Sequence, residues 1–332
     1  MEDYSRNVLA LDDTQLELFV RDWVDNKQSK YFEVARFSGS GDLGRDVVGF
    51  HTAAKHEGSW DNYQCKQYGK RLPTDTAICE LGKILYYASL GEFTPPAVYY
   101  FVAPRGLNRN LEHLVFNPNK LKKTLIENWD KYCRNKIIDD GDIPLTGEVL
   151  KMVQNYDYSA VRRIALEDIL SDDSAKKVLY KFFGADPGSS PKGIVPQEIL
   201  DIESEYIKQL VDAYSEQENT VFTHHGEISA HPHLLKNLDL QRERFFDADA
   251  FKRYYRDNTD PSVIDSVEQD VYYGIADMLG EKHPNTLEKI SAVMKQAATI
   301  QPSGIASKYA RVPVKQGVCH HFVNDGKFKW KE

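Results

Sequence analysis

Leu16, Phe19, Val20 and Trp23 recur at helical spacing behind Asp12-Asp13-Thr14, which predicts a helix capped by that polar cluster and ending near Asp25. Residues 31–37, 47–51 and 61–67 then read as three short strands, with a glycine-rich turn between the first two. Beyond Pro73-Thr74-Asp75, Ile78, Leu81, Ile84 and Leu85 mark a second helix. The unbroken apolar run Ala97-Val98-Tyr99-Tyr100-Phe101-Val102 is the pattern of a strand covered on both faces. A further amphipathic helix is expected from Pro118 to about Cys133, with Leu121, Leu125, Ile126 and Trp129 inward. Helix, three strands, helix, strand and helix make a small layered α/β domain.

The composition changes at Phe183-Gly184-Ala185-Asp186-Pro187-Gly188-Ser189-Ser190-Pro191, a run of turn and linker residues. We therefore expect an N-terminal domain over residues 1–185, a linker at 186–197 and a mostly α-helical C-terminal domain at 198–332. Helical spacing recurs in Ile199, Ile202, Tyr206 and Leu210, in 234–246, in Val267, Val271, Ile275 and Leu279, and in Leu287, Ile290 and Met294. At the end, Asp325-Gly326 between two apolar stretches reads as the turn of a hairpin.

Composition bounds the partners. With 332 residues and a formal charge of −8, the chain can bury two cores but carries no global positive field to draw nucleic acid, so such binding must use local cations or a partner. Cys65, Cys79, Cys133 and Cys319 are scattered without a CxxC pair, which suits reduced thiols and a cytoplasmic setting. Neither a signal peptide nor an apolar run of membrane-spanning length is read from the sequence, so no membrane association is expected. The phosphate-loop pattern is absent too, and any ATP chemistry belongs to another chain.

The candidate chemistry lies in Gly39-Ser40-Gly41-Asp42-Leu43-Gly44-Arg45-Asp46, followed by Gln64-Cys65-Lys66 on a paired strand. Asp46 supplies a hard oxygen ligand suited to Mg2+, or to Mn2+, and Gln64 a neutral amide oxygen. Residues two apart on a strand share a face, so Gln64 and Lys66 point together, while Cys65 turns away and leaves its backbone carbonyl as a possible ligand. Lys66 would hold or polarise an attacking water, and Glu17 on the preceding helix could complete the acidic group. That donor set suits metal-assisted hydrolysis of a phosphodiester. With glutamine in place of a second acid, one tightly bound ion is expected. Asp42 is read as pinning the turn, and Arg45 as either structural or a phosphate contact. Lys70, Arg71, Lys120, Lys122 and Lys123 are candidate contacts to a nucleic-acid backbone, or equally a solvated face. His224, His225, His231 and His233 match no common zinc spacing and read as a loop.

This arrangement resembles the PD-(D/E)xK nucleases of restriction-endonuclease-like fold, in the Mrr-like branch where the last pair is Gln-x-Lys. The resemblance implies a mixed central sheet flanked by helices, with Glu17, Asp46, Gln64 and Lys66 as the catalytic positions. Farther on, Phe182-Phe183-Gly184, residues 205–214 and 241–246, and Gly317-Val318-Cys319-His320-His321 resemble the C-terminal domain of ABC-three-component systems. Together the two parts look like the effector nucleases of Lamassu anti-phage systems. That likeness implies a nuclease held inactive by an SMC-like ATPase and an accessory subunit, then released to oligomerise and cut double-stranded DNA. Two rivals stay open: a degenerate nucleic-acid-binding or assembly subunit, for which Gln64 would mark lost catalysis, and an enzyme acting on RNA.

Overall fold

The computed structural model describes residues 3–27, 30–39 and 41–331. Ser40 of the glycine-rich turn, and residues 1, 2 and 332 at the expected domain ends, lie outside the described residues. The chain divides into two compact units, Met1–Gly184 and Ala185–Glu332.

In the first unit α1 (Ser5–Leu9) and α2 (Asp13–Asp25) precede β1 (Glu33–Arg36), β2 (Val47–Phe50) and β3 (Trp60–Cys65). There follow α3 (Thr74–Ser89), β4 (Val98–Val102), α4 (Arg109–Val115), α5 (Pro118–Glu127), α6 (Trp129–Tyr132), α7 (Gly147–Asn155), β5 (Val161–Ile164), α8 (Leu166–Leu170) and α9 (Lys176–Phe183). Among the described residues the strands form one mixed sheet in the order β1-β2-β3-β4-β5, antiparallel from β1 to β3 and parallel from β3 to β5. The change of sense follows from connection length: β3 and β4 are joined by α3, which carries the chain back across the sheet.

α2 and α3 cover opposite faces. Asp12 accepts the Gln15 N–H and Gln15 returns a bond to the Asp12 N–H, a capping box that fixes where α2 starts. Leu16, Phe19, Val20, Trp23 and Val24 turn inward from it, and the Trp23 ring meets Tyr63 of β3 edge-on. Val48, Phe50, Trp60, Tyr99 and Phe101 occupy alternate strand positions on the other face and share a core with Ile78, Leu81 and Leu85 of α3. Each such buried side chain contributes about 1.5–3 kcal/mol by leaving water.

On the α2 face Asp61 is buried, but Tyr31 Oη at 2.5 Å, His51 Nε2 at 3.1 Å and Lys30 Nζ at 3.3 Å surround it. That carboxylate is paired within its own cluster.

The helix expected over 118–133 is interrupted at Asn128, between α5 and α6. The break lets the Trp129 indole N–H reach Ile143 O at 2.7 Å, a bond that a buried indole needs.

The second unit contains α10 (Ser204–Glu218), α11 (Pro232–Asn258), α12 (Ser262–Gly280), α13 (Thr286–Thr299) and α14 (Val312–Asn324). α11 and α14 lie close because Gly317 has no Cβ; one built there would come 1.9 Å from Arg244 O. Beside them Arg242 grips the wholly buried Glu203 with Nε at 2.7 Å and Nη2 at 3.0 Å, and Tyr206 Oη adds a third bond at 3.1 Å.

Two expectations are corrected in this unit. Residues 186–197 do not form a free linker: Gly188 O accepts Tyr255 Oη at 2.7 Å, Gly193 N–H donates to Asp247 at 2.7 Å, and Asp186 binds Tyr309 and Lys308. The segment is a strap on the helices it precedes. Likewise no terminal hairpin forms, because Val314, Val318, Phe322 and Val323 are apolar at helical spacing and belong to α14. Asp325-Gly326 ends that helix instead: Gly326 takes φ +69° while Gly326 N–H bonds Val323 O and Lys327 N–H bonds Phe322 O. A glycine at positive φ serves a hairpin turn and a helix cap equally, and the residues before it decide which. No helix among the described residues is long and apolar enough to cross a membrane.

Candidate active site

Asp46 stands immediately before β2, whose Val47 lies opposite Tyr63 of β3, so the antiparallel register sets Asp46 against Gln64. The preceding turn delivers it there. Asp42 Oδ1 accepts the Gly44 N–H and the Lys83 ammonium, both at 2.8 Å, and Gly44 takes φ +89° where a Cβ would come 3.3 Å from the backbone N of Ile84 in α3. Asp42 thus pins the turn, as expected. Phe37 N–H donates to Asp46 O at 2.8 Å and extends the β1–β2 pairing as far as this residue.

The Asp46 side chain is 5% exposed, and its Oδ2 accepts Gln64 Nε2 at 2.7 Å and Cys65 N–H at 2.8 Å. Burial, with Glu17 and Glu80 nearby and Lys66 and the Cys65 amide opposing, pushes its carboxyl up to about 7. Gln64 Oε1 lies 3.4 Å from Tyr99 Oη and 3.5 Å from Asn62 Nδ2. Gln64 therefore offers its NH2, not its oxygen, to Asp46, and Cys65 offers its N–H rather than its carbonyl. For Gln64 to act as an oxygen ligand its amide must turn about, an exchange of similar atoms in one volume.

Lys66 follows β3, and its N–H still pairs with Val102 O of β4 at 2.9 Å. Its ammonium bonds Glu80 Oε1 of α3 at 2.8 Å. Burial opposes the charge, but Glu80 and Asp46 outweigh it and hold the lysine above its ordinary value, charged at neutral pH. Glu17 bonds Arg36 Nε at 2.8 Å and acts on Asp46 through space. Arg36 and Glu80 were both missed in the sequence. Glu80 lies two residues past Ile78 on a helix read only for its apolar stripe, and no spacing rule ties it to Lys66.

Arg45 is 8% exposed: its Nε bonds Asp42 O at 2.8 Å, an Nη meets His56 Nε2 at 2.7 Å, and its guanidinium lies over Phe37 and Phe93. Burial, with this guanidinium beside it, holds His56 down at about 4. Arg45 is therefore structural and unavailable as a phosphate contact. Lys70, Arg71, Lys120 and Lys123 are exposed, while Lys122 donates to Gln154 O. Lys120 lies 3.1 Å from His113 Nε2, and Lys123 pairs loosely with Glu127 at 3.7 Å.

Among the described residues no three His, Cys, Asp or Glu side chains are gathered closely enough to hold an ion by themselves, at the histidine cluster or here. The donor chemistry around Asp46 still suits Mg2+, which takes one or two carboxylates and keeps waters for its other positions. One buried acceptor beside it is unmet: Asn62, wholly buried next to Gln64, leaves Oδ1 without a hydrogen-bond partner.

Comparison with known proteins bears on the second unit. Residues 203–330 match the family described as C-terminal domain 6 of the ABC-three component (ABC-3C) systems. The match spans α10 to α14, so it is the second unit that is similar to a domain of such systems. No curated protein and no solved structure matches the chain.

Proposed function

We propose that the chain is a divalent-metal-dependent endonuclease that hydrolyses phosphodiester bonds of double-stranded DNA, serving as the effector of an anti-phage ABC-three component system. The observation that carries this reading is the meeting of Asp46, Gln64 and Lys66, from two strands, at one end of the sheet: Gln64 bonds Asp46 at 2.7 Å, and Asp46 is among the charges that keep Lys66 protonated. The order of helix, three antiparallel strands, helix and parallel strand is the one a restriction-endonuclease-like core requires.

Asp46, with Gln64 once its amide has turned, would hold Mg2+ or Mn2+, which supplies Lewis-acid polarisation of the phosphate. Lys66 keeps a positive charge beside that position and stabilises the negative charge that develops on phosphate oxygens. Asp46 is buried, in surroundings where a charge acts more strongly than in water. Exposed Lys70 and Arg71, with Lys120 and Lys123, supply the cations for a DNA backbone that a net charge of −8 does not.

In the system, an SMC-like ATPase and an accessory subunit hold this chain inactive, and release lets it oligomerise and cut. The NH2 group that Gln64 turns to Asp46, and the absence among the described residues of a second acid bonded to Asp46, favour one rival, a degenerate assembly subunit. The test incubates the purified full chain, freed of partners, with supercoiled plasmid, linear duplex and single-stranded RNA in Mg2+ and in excess chelator. Cation-dependent cutting of both duplexes supports the proposal; intact DNA with degraded RNA makes it an RNase, and no cutting leaves the assembly reading.

A further inference from the structure

The two helices flanking the sheet each bring a glutamate toward Asp46, and they do so from opposite faces. β3 sorts them. Cys65 points to the α2 face, and the charges that bear on its thiol, after burial, are Asp46, Glu17, Lys66 and Arg36. Gln64 and Asn62 point to the α3 face with Tyr99, and the carboxylates that bear on the wholly buried Tyr99 phenol, after burial, are Glu80 and then Asp46. Tyr99 Oη also reaches Gln64 Oε1 at 3.4 Å. Glu80 therefore shares the α3 face with Gln64, Tyr99 and Lys66, and Glu17 the α2 face with Cys65 and Arg36; Asp46 feels both carboxylates, Glu17 the more strongly of the two.

We infer that Glu80 of α3, rather than Glu17 of α2, is the second carboxylate of the site, and that its ion pair with Lys66 is the contact it gives up when a divalent cation binds at Asp46. This rests on the nuclease reading and deepens it.

Three observations support the exchange. Glu17 already has a guanidinium partner at 2.8 Å, and withdrawing it would leave Arg36, itself only 23% exposed, without its counter-charge. Glu80 is bound to Lys66, a group with its own use for a phosphate as counter-ion, so moving Glu80 to a cation frees the ammonium for substrate instead of stranding it. The third is the unmet Asn62 Oδ1, which lies on the α3 face by the same alternation and is wholly buried. That oxygen adds a buried neutral acceptor to the face that carries Gln64 and Glu80. The Glu80–Lys66 pair is then a latch: without the cation the lysine is neutralised internally, and with it the carboxylate and the ammonium separate to their two tasks.

The test measures Mn2+ binding to the full chain by electron paramagnetic resonance, with thermal unfolding run on every variant. Glu80→Gln should weaken Mn2+ roughly tenfold or more, Glu80→Asp should recover part of that loss, and Glu17→Gln should weaken it less than Glu80→Gln does. The inference is overturned if Glu80→Gln binds Mn2+ as tightly as the unaltered chain, or if Glu17→Gln causes the larger loss. Should Glu80→Gln fold poorly, Glu80→Asp decides by the same comparison with Glu17→Asp. A chain that binds no Mn2+ at all overturns the nuclease reading and this inference together. Binding that is lost in Asp46→Asn but kept in Glu80→Gln overturns the Glu80 assignment alone.

Discussion

Gln64 donates its side-chain amide to Oδ2 of Asp46 at 2.7 Å, across the ladder that joins β3 to β2. The same oxygen takes the Cys65 N–H at 2.8 Å, so a carboxylate in a nearly sealed position is met by two neutral donors and, among the described residues, by no cation in direct contact. A fold does not gain stability from such an arrangement. A divalent cation at Asp46, as proposed above, would offset that cost.

Asp46 should therefore cost stability in a pH-dependent way. Its folded-state value of about 7 lies above the ordinary 3.8, so the folded chain holds this proton more tightly than the unfolded chain does. The resulting contribution favours folding at low pH and is lost as pH rises from about 4 through about 7. Asp46→Asn keeps an acceptor for both donors but removes the charge. Denaturant titrations should find the variant's stability relative to the unaltered chain rising by on the order of 2–3 kcal/mol between pH 5 and pH 8, while metal-induced stabilisation disappears. A relative stability that does not rise over that range would contradict this.

Gly317 should not tolerate even a methyl group. In an open helix interior, glycine to alanine gains about 1 kcal/mol. Here a Cβ would sit 1.9 Å from a backbone oxygen of α11, which cannot swing aside like a flexible side chain. Gly317→Ala is expected to destabilise by about 3 kcal/mol, read as a lower denaturation midpoint.

The legibility of the fold followed the strength of local periodicity. α2 and α3 were plain in the sequence because each has an apolar stripe and a polar or proline start, and the strands around Val48 and Phe101 because their apolar runs are short and bounded by turns. β5 was missed: Val161-Arg162-Arg163-Ile164 is half charged and only Val161 is buried, so its place is set by pairing with β4, a relation that no local pattern encodes. At the site, Asp46, Gln64 and Lys66 were visible as residue types at hairpin spacing. The ion pair of Lys66 with Glu80 was not, since it joins a strand end to a helix through the tertiary fold. Nor was the inward turn of Arg45, which depends on Phe37, His56 and Phe93 closing around it.

In the second unit, Glu203 and Arg242 should behave as a pair. Glu203→Gln leaves a guanidinium buried without its counter-charge and is expected to cost about 3–5 kcal/mol. Replacing both, as Glu203→Leu with Arg242→Met, should cost much less than that single change. Equal losses in the single and double variants, measured by urea unfolding, would mean that the two side chains do not depend on each other.

His320 gives this unit a response of opposite sign. Burial, with Arg244 and His321 nearby, holds its imidazole far below the ordinary 6.5, so the folded chain keeps it neutral. The stability tied to it is present above pH 6.5 and is lost as pH falls below that value, where the unfolded chain takes up the proton first. His320→Gln should flatten this acid-side loss in thermal unfolding followed from pH 7.5 to 5. An unchanged slope would remove the assignment.

The most direct test of the account compares the purified full chain with its Lys66→Ala variant on supercoiled plasmid in Mg2+. The unaltered chain is expected to nick and linearise the plasmid, and Lys66→Ala to unfold at a similar temperature yet cut roughly a hundredfold more slowly or worse. A folded Lys66→Ala protein that cuts as fast as the unaltered chain would contradict it.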